Sequence, residues 1–261
     1  MKFQIPLTPG AVTQFLLRVV GCLVVLSSLS EITHHFFRDS RLTKYFLTVF
    51  YLDGEGNIPT FYSFLTLLFS SLLLGVIAYA KNLDSSPYKQ HWKILSFIFL
   101  YLSLDEVGQL HEKLTTPLRS LLHATGFLYY TWVLPIGFLV VIFLLSYTKF
   151  LFHLPVSTRK LFVAATALYI GGAIGVELVG AYIFSTKGMN PLFYSIATTL
   201  EESLEMLGIV VFIHALISYI KTYVGGVSWN IYIPGKNTQV TEPQNTDIPA
   251  ISEPANRNLS R

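Results

Sequence analysis

Apolar runs of about 20 residues recur along this chain, each long enough to cross the hydrocarbon core of a bilayer as a helix. A backbone surrounded by lipid must satisfy its own hydrogen bonds, so such runs restrict the fold to a helical bundle or a closed barrel. The runs are continuous rather than alternating, and that selects helices. Six fall at 13–37, 58–80, 92–112, 130–152, 160–184 and 192–221. They predict an all-α polytopic transmembrane helical bundle. Two shorter apolar stretches, Leu42–Leu52 and Leu114–Leu128, are too short to cross and predict short helices lying at the interface.

Composition agrees. Hydrophobic residues make up 52% of the 261 residues and charged residues only 13%, about half the charged share of a soluble domain. The single cysteine, Cys22, excludes an intrachain disulfide and a Cys-rich metal site. Val19-Val20-Gly21-Cys22 has the outline of a lipoprotein box, but Arg18 sits where a signal peptide needs its apolar stretch. The first run therefore reads as an uncleaved span. The net charge of +3 gives no case for nucleic acid, because the basic residues cluster at span ends and in loops.

Orientation follows from those basic residues. With both termini cytoplasmic, the inner segments hold twelve of the 18 Lys and Arg, among them Lys81, Lys89, Lys93, Arg159 and Lys160. The outer segments hold Arg38, Arg41, Lys44, Lys113, Arg119 and Lys187. The bias predicts an N-in/C-in bundle over residues 1–224. From 225 to 261 the chain turns to Pro, Asn, Gln, Thr and Ser, which predicts a disordered cytoplasmic tail.

Eight carboxylates fall inside the predicted spans: Glu31, Asp105, Glu106, Glu112, Glu177, Glu201, Glu202 and Glu205. No Lys or Arg lies at matching depth. An ionisable side chain there costs roughly 2.5–3.5 kcal/mol on insertion scales, so either protons or a cation must offset the charge. At about 1.5 Å per residue, Asp105, Glu177 and Glu31 lie roughly 20–27 Å above the inner face, and Glu201 lies near mid-membrane. Acids from four spans thus occupy the region from mid-membrane to the outer side.

Helical facing narrows the set. Glu31, His34 and His35 share one face of the first span, and Glu31-x-x-His34 has the spacing used by bundle di-iron sites. Asp105, Gln109 and Glu112 form a stripe on the third span, with His111 off it. Glu201 and Glu205 are one turn apart. Glu177 shares its face with Thr166, Ala173, Gly180 and Ala181, and Gly171-x-x-x-Gly175 on the same span favours close helix approach. His214, His91, His153 and His123 fall elsewhere and read as hydrogen-bonded or interfacial histidines. Asp53 and Glu55, in the turn before the second span, read as a solvated loop on the same side as the acids.

Carboxylate and imidazole together suit a divalent metal: iron, zinc or manganese. The expected ligands are Glu31, His34, Asp105, Glu177, Glu201 and Glu205, with His35, Gln109, Glu106, His111, Glu112 and Glu202 as supporting or alternate groups. Such a site, reached from the lipid bilayer, implies a hydrophobic substrate. Protons shared between helices, proton- or cation-coupled transport, and an accessory role in a larger membrane complex answer the same charge problem. Haem held by His34, His35 or His111 would leave the carboxylates unexplained. The seven spans and late His-x-x-x-His of alkaline-ceramidase-type hydrolases are absent, as are the histidine boxes of membrane desaturases.

Asn57-Ile58-Pro59-Thr60-Phe61-Tyr62-Ser63, with Ser103-Leu104-Asp105-Glu106 followed by His111-Glu112, resembles a family of bacterial multi-span proteins with cyanobacterial members. The resemblance covers most of the six spans and not the tail. It implies a bacterial plasma membrane or a thylakoid membrane, and no reaction.

Overall fold

The computed structural model describes residues 2–3, 8–38, 40–187, 191–224 and 231–232. The chain divides into two units. The smaller comprises Met1–Ile5 and Ser228–Arg261. Its described part is an antiparallel pair, β1 (Lys2–Phe3) and β2 (Ile231–Tyr232), with Lys2 opposite Tyr232. The rest of the expected tail, 225–261, lies outside the described residues.

The larger unit, Pro6–Val227, is helical throughout its described elements. Helix α1 (Pro9–Phe36) starts on a proline, whose missing N–H costs nothing in a first turn. A short helix, α2 (Arg41–Phe50), follows where the interfacial stretch was expected, with no residue buried. Asn57 caps α3 (Ile58–Leu83): its Oδ1 accepts the Thr60 N–H at 3.1 Å, and its Nδ2 donates to the Tyr51 carbonyl at 2.6 Å. One side chain thus fixes both the helix start and the turn before it. Helices α4 (Lys89–Gly108), α5 (Leu110–Leu122) and α6 (Val133–His153) come next. A continuous helical stretch then runs through α7 (Val156–Ile170), a π-helical segment (Gly171–Val176) and α8 (Glu177–Lys187). Last comes α9 (Pro191–Tyr219), extended by a π-helical turn to Val224.

Among the described residues, five helical stretches are long and apolar enough to cross a membrane: 9–36, 58–83, 133–153, 156–186 and 192–224. They coincide with five of the six expected spans. The sixth, expected at 92–112, departs from expectation. Helix α4 stops at Gly108 because Gln109 adopts the left-handed conformation, φ 52°, and α5 starts immediately beyond it. At 20 residues α4 is still about 30 Å long.

Helix α9 is the axis of the bundle, with α1, α3 and α7 around it. Leu74 and Ile77 of α3 and Ile213, Ala215 and Leu216 of α9 are fully buried. Phe99 of α4 stacks on Phe212 at 4.6 Å, and Trp92 packs on Tyr219 at 5.0 Å. Helices α3 and α4 are joined by a reciprocal pair: Ser71 Oγ donates to the Ser96 carbonyl at 2.7 Å and Ser96 Oγ to the Ser71 carbonyl at 2.8 Å. His214 of α9 meets Thr13 Oγ1 of α1 at 2.8 Å, a structural partner for a histidine outside the acid cluster. Large apolar side chains such as Phe15, Leu72, Phe97 and Phe138 point outward, as expected of a surface solvated by lipid tails.

The close approach expected at Gly171 and Gly175 lies instead at Gly172 and Gly208. A Cβ on Gly172 would sit 2.7 Å from the Glu201 carbonyl, and one on Gly208 2.8 Å from the Tyr169 nitrogen, whereas Gly171 and Gly175 face open space. Gly172 stands beside Gly171 at the start of the π-helical segment, and of the two it is Gly172 that faces α9.

Candidate functional site

The break at Gln109 builds the first part of the site. A non-glycine residue in the left-handed region costs about 1–2 kcal/mol, and here it interrupts the helix between Gly108 and Leu110. The Asp105 carboxylate consequently receives two groups of one residue. Its Oδ1 accepts the His111 backbone N–H at 3.1 Å, and its Oδ2 meets the His111 Nδ1 at 2.6 Å. In a continuous helix His111 would point away from Asp105, as the facing argument required; the break reverses that. It also splits the expected Asp105–Gln109–Glu112 stripe, sending Gln109 to Glu55 and Glu112 to the neighbourhood of Asp53 and Glu55. Burial draws the His111 pKa down, but the hydrogen bond and charge of Asp105 outweigh it and hold the imidazole above its ordinary value.

Trp132 connects this pair to the next acid. Its indole is buried, lies edge-on to the His111 ring at 4.8 Å, and donates from Nε1 to Glu177 Oε1 at 3.0 Å. Thr131 beside it donates to the Thr115 carbonyl of α5 at 2.9 Å, tying the segment before α6 to α5. Glu177 begins α8 directly after the π-helical segment, which aims it at the core. Its other polar neighbour is Glu201 of α9.

The remaining acids gather along α9. Glu201 has Glu177, Glu205 and Glu202 around it; Glu205 has Glu106 and Glu177; Glu202 has Glu205 and Glu106. Between Glu106 of α4 and Glu205 lies a cavity of about 10 Å³, walled also by Ser63, Thr66 and Tyr169, about the space of one water molecule. Glu106, expected in a supporting place, is central. The Gly172 approach described above presses the π-helical segment onto the Glu201 carbonyl and the Glu205 side chain, and so fixes α9 in this register.

The turn before α3 brings Asp53 and Glu55 close to Glu112. Tyr51 donates to Asp53 Oδ2 at 3.2 Å. Asp53 keeps an exposed side, yet the surrounding protein and then the charge of Glu112, opposed by the hydrogen bond from Tyr51, push its carboxyl up to about 6. Glu55 is raised as well, by burial and by Glu112. Asp53 and Glu55 are exposed, as the reading of a solvated loop expected, and they also lie close to Glu112. Asn57, Pro59 and Thr60 lock the turn: Thr60 Oγ1 donates to the Gly54 carbonyl at 3.1 Å.

The expected metal ligands are divided among different partners. Asp105 is held by His111, Glu177 by Trp132, and Glu201 and Glu205 by other acids. Glu31 is closest in charge terms to Asp53; its Oε1 and the His34 Nδ1 are buried without a hydrogen-bond partner. His35 is exposed, its ring edge-on to Phe36. Among the described residues, no three His, Cys, Asp or Glu side chains gather into a ligand set for one metal ion. The only ion pairs among them are Lys81–Asp84 at 3.7 Å and His111–Asp105, so no Lys or Arg pairs with the acids of α4, α8 or α9.

Residues 16–220 match the sequence model of a family described as a domain of unknown function (DUF8692). No curated protein and no solved structure matches the chain.

Proposed function

We propose, from the premise that this chain belongs to the DUF8692 family, that it is a multi-pass membrane protein that binds and passes protons or a small cation through its acid-lined chamber. In this reading α4 is the sixth span, since about 30 Å of helix packed on α3 covers the bilayer core. The charge bias supports both termini inside, with Asp53 and Glu112 on the outer side. The resemblance over most of the spans supports a bacterial plasma membrane or a thylakoid membrane.

One observation carries the reading. The carboxyls of Glu106, Glu205, Glu202, Glu201 and Glu177 follow one another as a chain of neighbours across α4, α8 and α9, and among the described residues no basic side chain pairs with them. In a low-dielectric bundle such a group is stable only when protons or cations offset its charge. Two adjoining carboxyls, as at Glu177 and Glu201, can share one proton. The Trp132 N–H occupies Glu177 Oε1 and leaves its other oxygen free for Glu201. On the outer side, His111 holds its Nδ1 on Asp105 and keeps Nε2 for exchange with solvent. Asp53 and Glu55 raise the local cation concentration there.

The divalent-metal reading, with an enzyme acting on a hydrophobic substrate, requires Asp105 and Glu177 to leave their present partners. The test separates the two. Purified protein in liposomes would be given a pH gradient or a sodium gradient, with an internal dye reporting flux, beside Glu201→Gln and Glu205→Gln. Flux in the parent and its loss in both variants supports the proposal. No flux, together with stoichiometric iron, zinc or manganese by elemental analysis, replaces it with the metal site.

A further inference from the structure

We infer that the C-terminal half of α5 holds the phosphate group of a membrane phospholipid, in a pocket built on Arg119 and His123. This site is separate from the acid chamber and rests only on the membrane placement of the bundle.

The pocket has a volume of about 440 Å³ and opens to the surface; Thr116, Arg119, Ser120, His123 and Thr125 line it. Its chemistry is the reverse of the chamber's. It offers a guanidinium, an imidazole and three hydroxyls, and no carboxylate. Among the described residues Arg119 has no acidic partner within ion-pair distance. Its guanidinium instead lies over the Tyr129 ring, 4.3 Å from the centroid. A guanidinium stacked in this way has its position set by the ring and keeps its N–H edge free for a planar or tetrahedral oxyanion. His123 ends α5 in the left-handed conformation, φ 49°, and lines the same pocket.

The surroundings select a lipid over a soluble anion. Leu110, Leu114, Leu121 and Leu122 of α5 are exposed, as are Phe127 and Leu128 just beyond it. Alone, these would be an aggregation hazard in water. On a helix lying at a bilayer surface they are the part that enters the acyl region, with polar groups at headgroup level. Arg119 and His123 therefore sit where phosphodiesters are concentrated, and acyl chains have an apolar surface beside them.

The full-length protein, delipidated in detergent, would be titrated with phosphatidylglycerol, with diacylglycerol of the same chains and with inorganic phosphate, following bound lipid by native mass spectrometry and the shift in melting temperature. The proposal expects phosphatidylglycerol to bind and stabilise, and Arg119→Gln to weaken it roughly tenfold, as loss of one charge-assisted hydrogen bond implies. His123→Gln should weaken it less, and Arg38→Gln, on the turn after α1, should not change it. Diacylglycerol binding as tightly as phosphatidylglycerol would overturn the phosphate recognition. Inorganic phosphate binding with no preference for the lipid would overturn the lipid in favour of a soluble anion. Equal retention of phosphatidylglycerol by Arg119→Gln, itself melting as the parent does without lipid, would remove the site from this pocket.

Discussion

The His111 imidazole and the Asp105 carboxylate meet at 2.6 Å across a break between two helices. Because the folded protein holds the imidazole above its ordinary value, protonation of His111 favours folding. That contribution is complete below the unfolded pKa of about 6.5 and is lost as pH rises through the higher folded value. Asp53, raised to about 6, acts with the same sign at lower pH: its contribution is complete below about 4 and gone above its folded value. The expected outcome is a melting temperature in detergent that falls as pH rises from mildly acidic to alkaline. His111→Gln should flatten the neutral part of that slope and Asp53→Asn the acidic part. Parallel slopes in parent and His111→Gln would show that the pair does not titrate.

Gly208 and Gly175 test where the helices touch. A Cβ at Gly208 would meet the Tyr169 nitrogen at 2.8 Å and the Ala165 carbonyl at 3.0 Å, both backbone atoms that cannot swing away. Gly208→Ala should therefore destabilise by about 1–3 kcal/mol, the usual cost of overpacking. Gly175→Ala meets nothing within 4 Å and should stay within about 0.5 kcal/mol of the parent. Denaturation of the two variants in mixed micelles gives the comparison, and equal losses would contradict the packing of α7 on α9.

Much of this architecture was legible because lipid imposes a one-dimensional rule: length and apolar continuity name a span. Five helical stretches, and the short helix α2, lie where apolar runs of those lengths predict helices. The failures occur where a single residue leaves regular helix geometry. Gln109 carries no glycine or proline signature, so nothing in its identity announced a left-handed residue that would hand His111 back to Asp105. The π-helical segment is similar: facing arguments assume about 100° per residue, which its six residues do not keep, and within it Gly172 rather than Gly171 or Gly175 meets α9. Depth put Glu31, Asp105, Glu177 and Glu201 in one region; which acids adjoin was not readable, because the hold on Glu177 comes from Trp132, expected inside a span at 130–152 and found just before α6.

Asn57 joins two elements through one amide. Asn57→Ala removes the acceptor for the Thr60 N–H and the donor to the Tyr51 carbonyl. Loss of an N-cap costs about 0.5–2 kcal/mol. The second bond adds a local effect, freeing the turn that carries Asp53 and Glu55. Hydrogen exchange should show faster amide exchange over residues 51–60, with α9 amides unchanged. Uniform acceleration through α9 would mean that the turn is not a separate element.

Trp132→Phe and Glu177→Gln dissect the link from His111 to the chamber. Phenylalanine keeps an aromatic ring against His111 but removes the N–H bound to Glu177 Oε1. Loss of a hydrogen bond to a carboxyl typically costs about 1–3 kcal/mol, so the variant should melt lower and conduct more slowly, because Glu177 is no longer held for Glu201. Glutamine at 177 keeps an oxygen to accept from Trp132, so its melting temperature should stay close to the parent's. It cannot bind and release a proton, so flux should disappear. The diagnostic result is therefore a crossed one: the more stable variant is the less active. Flux through Glu177→Gln equal to the parent's would take Glu177 out of the path and leave the Trp132 bond a purely structural one.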